Sequence, residues 1–348
     1  MTKIRKTNIE ILRIVAMMFI IFSHFYSHGG FEVVSFNENG LFLHSIQILG
    51  KIGVNIFILI SGYFLISNNE ISVKKLLLMW IEILFYSITI YLLVVVFSKE
   101  SFSIRNMVKL FFPISSKQMW FVSSYFIMYI FHPFINILLK NLEKQKYEVL
   151  IIIMTTIWCI FPTILNKDFE CNKLIWFFYI YSIGGYIKLF PNFIEHDKKN
   201  KYLYGAIACY ILSIIAIAVF DIINKDYSVL FGLQKLPTLV ISLLLFIYFV
   251  CIKLKNNMVI NEVAKCTFGV YLIHDNPYLK EIIWIDIFKV NSFYESDIFI
   301  LFAITISTTI TVFIICTLIE YVRRMFEKKI IEGMILDGFK TSNKKLEI

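Results

Sequence analysis

Apolar residues in this chain come in long continuous runs, rich in Ile, Leu and Phe, rather than in an alternating pattern. Runs of about 20 residues recur, each long enough to cross a hydrocarbon core of ~30 Å as a helix. In lipid the backbone must satisfy its own hydrogen bonds, so such runs are helices unless they alternate and close into a barrel. The pattern predicts ten spans: 9–27, 46–66, 76–97, 118–139, 149–165, 174–190, 203–223, 233–252, 266–288 and 297–320. The ninth carries His274, Asp275, Pro277, Lys280, Glu281 and Asp286, which predicts a broken or partly re-entrant segment. The first follows Lys3, Arg5 and Lys6, as a signal peptide would. It contains Arg13, however, and no Ala-x-Ala type cleavage site follows, so it reads as a permanent span.

Composition supports the membrane reading. Only 17% of the 348 residues are charged, and the mean hydropathy is +0.74. The expected fold is an all-α, polytopic bundle in the cell membrane, with a membrane domain over 1–325 and a basic tail over 326–348. A net charge of +9 would fit a nucleic-acid binder, but the basic residues lie in short loops between the apolar runs, with no long basic stretch. Nucleic acid is therefore not an expected partner; membrane lipids are. The six cysteines fall mostly within apolar runs and form no CxxC pair, so they read as small buried hydrophobes, with no metal site expected.

Orientation follows from Lys/Arg asymmetry. With the N-terminus inside, segments 1–8, 67–75, 140–148, 188–202, 253–265 and 321–348 are cytoplasmic and hold 22 of the 34 basic residues. Both termini are then expected in the cytoplasm. The loop 98–117 strains this scheme, because Lys99, Arg105, Lys109 and Lys117 fall outside. Its stretch Phe102–Phe112 interleaves charge with apolar residues. That suits a helix along the outer membrane surface near an anionic lipid-linked glycan, or an amphipathic cover for the bundle.

Ionisable groups inside a membrane are costly, so each is a functional candidate. Arg13 and His24 share the first span. Eleven residues make three turns plus about 20°, which puts both on one face, roughly 16 Å apart along the axis. Glu10 lies three residues before Arg13 and can pair with it. Arg13 near the inner end would also snorkel to headgroups, and His24 near the outer end would also suit an interfacial site. The chemistry fits acyl transfer. A neutral imidazole can take the proton from an acceptor hydroxyl attacking a thioester, or carry the acyl group itself. A guanidinium can hold the phosphates of coenzyme A through forked hydrogen bonds.

Arg13, ten intervening residues and His24 resemble the Arg-x10-His signature of the membrane acyltransferase-3 family, and later segments follow in the same order. Gly53-Val-Asn-Ile-Phe-Ile-Leu-Ile-Ser-Gly-Tyr63 is similar to the family's second-span element. Met119-Trp-Phe-Val-Ser-Ser-Tyr125 with Pro133-Phe-Ile-Asn136 resembles its Trp, Tyr, Pro and Asn span. Gly184-Gly-Tyr186 and Phe268-Gly-Val-Tyr-Leu-Ile-His274 resemble its later Gly-Gly-Tyr and Tyr-Leu-Ile-His elements, so the likeness covers about residues 7–320. It implies about ten helices, acyl-coenzyme A as donor with no permanently bound cofactor, and O-acylation of an extracytoplasmic glycan. By the same resemblance His24 is the expected catalytic histidine and Arg13 a coenzyme A-binding residue.

Where many members carry an Arg-rich stretch, this chain has Val73-Lys-Lys-Leu-Leu-Leu-Met-Trp80. Lys74 and Lys75 keep positive charge for the donor but lose the bidentate fork. No hydrolase-like domain follows the last span, so transfer is expected to finish in the membrane part or through a separate partner. Softer pocket candidates are Glu10, Ser61, Trp120, Tyr125, His274 and Asp275. Ser61 with Gly62 suits close helix packing as well as a hydrogen bond to the thioester, and Trp120 and Tyr125 suit interfacial anchors as well as a sugar-stacking face. His132 reads as a satisfied histidine, and His28, His44 and His196 carry no signal. A glycan or lipid transporter, or a membrane scaffold of a polysaccharide assembly complex, are the readings from other classes.

Overall fold

A computed structural model of the chain describes residues 5–33, 37–97, 102–111, 119–167, 169–223 and 232–344, with side chains as far as Lys329. Among the described residues there is no strand. The helices are α1 (Thr7–His28), α2 (Glu38–Leu65), α3 (Val73–Phe97), α4 (Ile104–Leu110), α5 (Trp120–Lys140), α6 (Lys144–Thr155) and α7 (Phe161–Leu165). They continue with α8 (Lys173–Leu189), α9 (Lys199–Ile222), α10 (Leu236–Cys251), α11 (Met258–His274) and α12 (Ile298–Lys344). Asparagines cap several of them: Asn37, Asn172 and Asn257 each accept a backbone N–H from the first turn of α2, α8 and α11.

Among the described residues, seven helices are long and apolar enough to cross a membrane: α1, α2, α3, α5, α6 with α7, α9 and α12. At the other three predicted spans the helices are shorter, α8 and α11 having 17 residues and α10 having 16. Short helices suit positions enclosed by neighbours, and ten residues of α8 and ten of α11 are buried. The outer helices instead present apolar side chains outward, as lipid contact requires; Phe97 and Phe299 are each 79% exposed.

Several predicted boundaries are corrected. The second helix starts at Glu38 rather than 46. The ninth starts at Met258 and ends at His274, not at 266 and 288. Beyond it the chain turns through Asp275–Lys280 and makes a wide turn at Ile282–Ile287. Pro277 supplies no backbone donor there, and the buried Asn276 carboxamide accepts the Tyr278 N–H instead. The fifth widens at Thr156–Ile160 for the same reason, since Pro162 leaves the Trp158 carbonyl without its helical partner. The last helix runs unbroken through the expected tail boundary at 325 to Lys344. Of the loop 98–117, residues 102–111 are described and hold α4, capped by Ser103; Lys99, Phe112 and Lys117 lie outside the described residues.

α2 is the central helix, packed against α1, α8, α9 and α10. Its approach to α8 is backbone against backbone. A side chain at Gly62 would meet the Tyr181 backbone, and one at Gly184 would meet that of Leu59. Ends pair in an antiparallel order. At one end Asn8 donates to the Phe249 carbonyl (2.7 Å), Thr7 bonds Asn261, and Arg324 reaches the Lys265 carbonyl. The buried Asn136 there donates to the carbonyls of Leu65 and Asn68 and accepts from Tyr181, all at 2.7 Å. At the opposite end Asn39 binds the carbonyls of Tyr294 and Ser296, and His44 pairs with Asp221. Pro133 frees the Tyr129 carbonyl inside α5, and the His132 ring donates to it at 2.5 Å.

Candidate active site

The turn after α11 lies against the C-terminal end of α1 and builds a histidine cluster. His274 Nδ1 is 2.6 Å from the Val270 carbonyl, which only accepts, so this nitrogen carries the proton. His274 Nε2 is then a lone pair, and it lies 3.0 Å from His24 Nδ1. That nitrogen must be the donor, which leaves the lone pair of His24 on Nε2. One carbonyl thus sets the tautomer of two rings. The His28 Nε2 is 2.9 Å from Asp275 Oδ1, which also stands 3.7 Å from His24 Nδ1. The His24 side chain remains 18% exposed while His274 is buried, so the outer ring is reachable and the inner one fixed.

His28 escaped the sequence reading. The signal was available, since it lies four residues after His24 and therefore on the same face of α1. His24, His28 and Asp275 each bring one ligand atom to within 4.8 Å of the others, a spacing a metal ion would fit. In the neutral network described, His24 Nδ1 donates to His274 and His28 Nε2 pairs with Asp275.

Nearer the other end of α1, Arg13 opens into a chamber of about 280 Å³ that also takes in Ser61, Lys75, Tyr125 and Tyr271. An adjoining recess of about 230 Å³ shares Arg13, Ser61, Lys75 and Tyr125. Glu10 accepts from Arg5 at 2.9 Å and stands 3.4 Å from Arg13 Nε, so it steadies the guanidinium from behind. The Ser61 hydroxyl lies 2.9 Å from its own-helix Phe57 carbonyl and 3.3 Å from the Tyr125 hydroxyl. The chamber also reaches Ile20 and Tyr271, each one helical turn from the His24–His274 pair.

Two expected positions fall elsewhere. Lys74 lies outside the Arg13 chamber; successive helical residues diverge by about 100°. It lines a third cavity of about 850 Å³, with Glu262, Arg324, Lys328 and Lys329, which meets the chamber at Leu78 and Glu82. Trp120 lines none of these three cavities and lies under the Lys173 ammonium, 4.4 Å from the ring centre.

A family model described as an acyltransferase domain (Acyl_transf_3) matches residues 6–320. The chain belongs to this family. It is a membrane acyltransferase, and the matched region takes in both the histidine cluster and the Arg13 chamber. No curated protein and no solved structure shows a significant match.

Proposed function

We propose that this membrane acyltransferase moves an acyl group, acetyl in the simplest case, from acyl-coenzyme A to a hydroxyl of a cell-surface or lipid-linked glycan at the cell membrane. The donor enters at the end holding Arg5, Lys74 and Arg324, taken as cytoplasmic. Its phosphates lie among Arg13, Lys75 and Lys74, and its thioester extends along the chamber towards His24. The acceptor approaches from the histidine end.

His24 Nε2 takes the proton of the acceptor hydroxyl as that oxygen attacks the thioester carbonyl. The new C–O bond forms, the C–S bond breaks, and the proton passes from His24 to the departing thiolate. His274 holds the ring in the required tautomer, and Asp275, 3.7 Å away, favours the imidazolium that forms in between. The Tyr125 hydroxyl, 3.3 Å from Ser61, lines the Arg13 end of the chamber, on the path of the donor.

The observation that carries this reading is one helix, α1, whose arginine opens into a chamber reaching within a turn of its histidine. The test is His24→Ala in cells that make the protein, with proton NMR of their surface glycan. The ester methyl signal should disappear at unchanged protein abundance. Retained acetylation would remove His24 as the base. Loss of glycan export with unchanged acetyl content would indicate a transporter.

A further inference from the structure

Two ammonium groups stand beside the histidine cluster without a carboxylate of their own. Lys51 lies in α2, half-buried within a predicted span. Its depth is set by its neighbour: a side chain at Gly50 would run into Ser23, so Lys51 sits level with Ser23 and His24 on α1. Lys173 reaches the same level from α8. Trp176 Nε1 donates to Asn55 Oδ1 at 2.9 Å, which pins α8 to α2. Lys51 is four residues before Asn55, and Lys173 is three before Trp176, so both lie one turn nearer the His24 end. Lys51 interacts electrostatically with His24, Lys173 and Asp275.

Among the described residues neither lysine forms a salt bridge, and Asp275 is engaged by His28 at 2.9 Å. Lys51 is half-buried inside the bundle, where an ammonium is costly unless something compensates it, and the exposed Lys173 ammonium nearby raises that cost. The donor's phosphates do not answer the need, because Arg13, Lys74 and Lys75 serve them about three turns away. Asp275 offers one negative charge against the two ammoniums, which leaves room there for an anion carried by whatever binds at the His24 end.

We propose that the acceptor is an acidic glycan, carrying a carboxylate or phosphate close to the hydroxyl that is acylated, and that Lys51 and Lys173 bind this anion. Trp120, under the Lys173 ammonium, supplies an aromatic face beside the charge for the sugar ring. The assignment rests on the acyl-transfer reading above and narrows its substrate class.

The test uses membranes holding the full-length protein, radiolabelled acetyl-coenzyme A, and base-de-esterified surface glycan from the cells that make it. One portion of glycan is left untreated, one is carboxyl-reduced with carbodiimide and borohydride, and one has its phosphodiesters cleaved with hydrogen fluoride. With the wild-type protein, one of the two treatments should lower kcat/KM roughly ten- to hundredfold, and which one tells carboxylate from phosphate. Lys51→Gln should produce a similar loss on untreated glycan, mainly through KM, with Lys51→Arg restoring most of it. Equal labelling of all three glycans by the wild type overturns the acidic acceptor alone, without reliance on any variant. No labelling of untreated glycan overturns the acyl-transfer reading and this inference with it.

Discussion

His274 presents its Nε2 lone pair to His24 Nδ1 at 3.0 Å, because its own Nδ1 proton is held by the Val270 carbonyl at 2.6 Å. A buried ring thereby decides which nitrogen of the reachable ring is basic. His274→Gln keeps a side-chain acceptor for the His24 proton, whereas His274→Ala keeps none. Transfer should fall by roughly 10²-fold or more in the alanine variant, within the range general-base catalysis supplies, and by less in the glutamine variant. The measurement is kcat at saturating donor; equal loss in the two variants would show that His274 acts through packing alone.

Arg13 predicts a defect of a different kind. Its guanidinium opens into the chamber with Glu10 behind it. A charge-assisted hydrogen bond is worth ~1.5–3 kcal/mol, so Arg13→Ala should raise KM for acetyl-coenzyme A about ten- to hundredfold. Arg13→Lys should recover only part of this, because an ammonium cannot form the planar fork. A normal KM in Arg13→Ala would place the donor elsewhere.

The neighbours Lys74 and Lys75 should separate by donor length. Lys75 lines the Arg13 chamber, and Lys74 lines the larger basic cavity beside it. Lys74→Ala should weaken the use of acetyl-coenzyme A but not of acetyl-phosphopantetheine, which lacks the nucleotide. Lys75→Ala should weaken both. Steady-state kinetics with the two donors decides the matter, and identical profiles for the two variants would contradict separate roles for the cavities.

Glu320 is a stability site. The buried carboxylate accepts from the Tyr86 hydroxyl at 2.7 Å and from Arg323 at 2.7 and 2.9 Å, while Arg323 also reaches Glu327 and Glu82. Removing Glu320 leaves the Tyr86 hydroxyl and two Arg323 N–H groups without their acceptor, at about 1–3 kcal/mol for each buried group left unpaired, while Arg323 keeps Glu327. Glu320→Ala should lower the unfolding temperature of detergent-solubilised protein markedly, and Glu320→Gln less so. An unchanged unfolding temperature would show that the network adds nothing to stability.

The elements most legible in the chain were those where one residue type dictates the local outcome. Apolar runs foretold helices at all ten predicted spans, although only seven of those helices have the length and hydropathy to cross a membrane unaided. His274, Asp275 and Pro277 foretold the break in the ninth, though not its start at Met258. Arg13 and His24 could be related to one face of α1 because helical periodicity links residues of one helix to each other. The same periodicity would have given His28.

Which residues of different helices meet was beyond that arithmetic. Nothing in linear order says that Val270 sets the protonation of His24, that Lys51 stands level with it, or that Lys74 and Lys75 face different cavities. Hydropathy along a chain reports the free energy of placing each segment in lipid, and so determines the helices and the costly polar residues within them. The rotation and depth of each helix are set by side-chain and backbone fit, as where Gly62 admits the Tyr181 backbone and Asn136 joins three helices. Those fits exist only between segments distant in sequence, and the tertiary structure alone decides them.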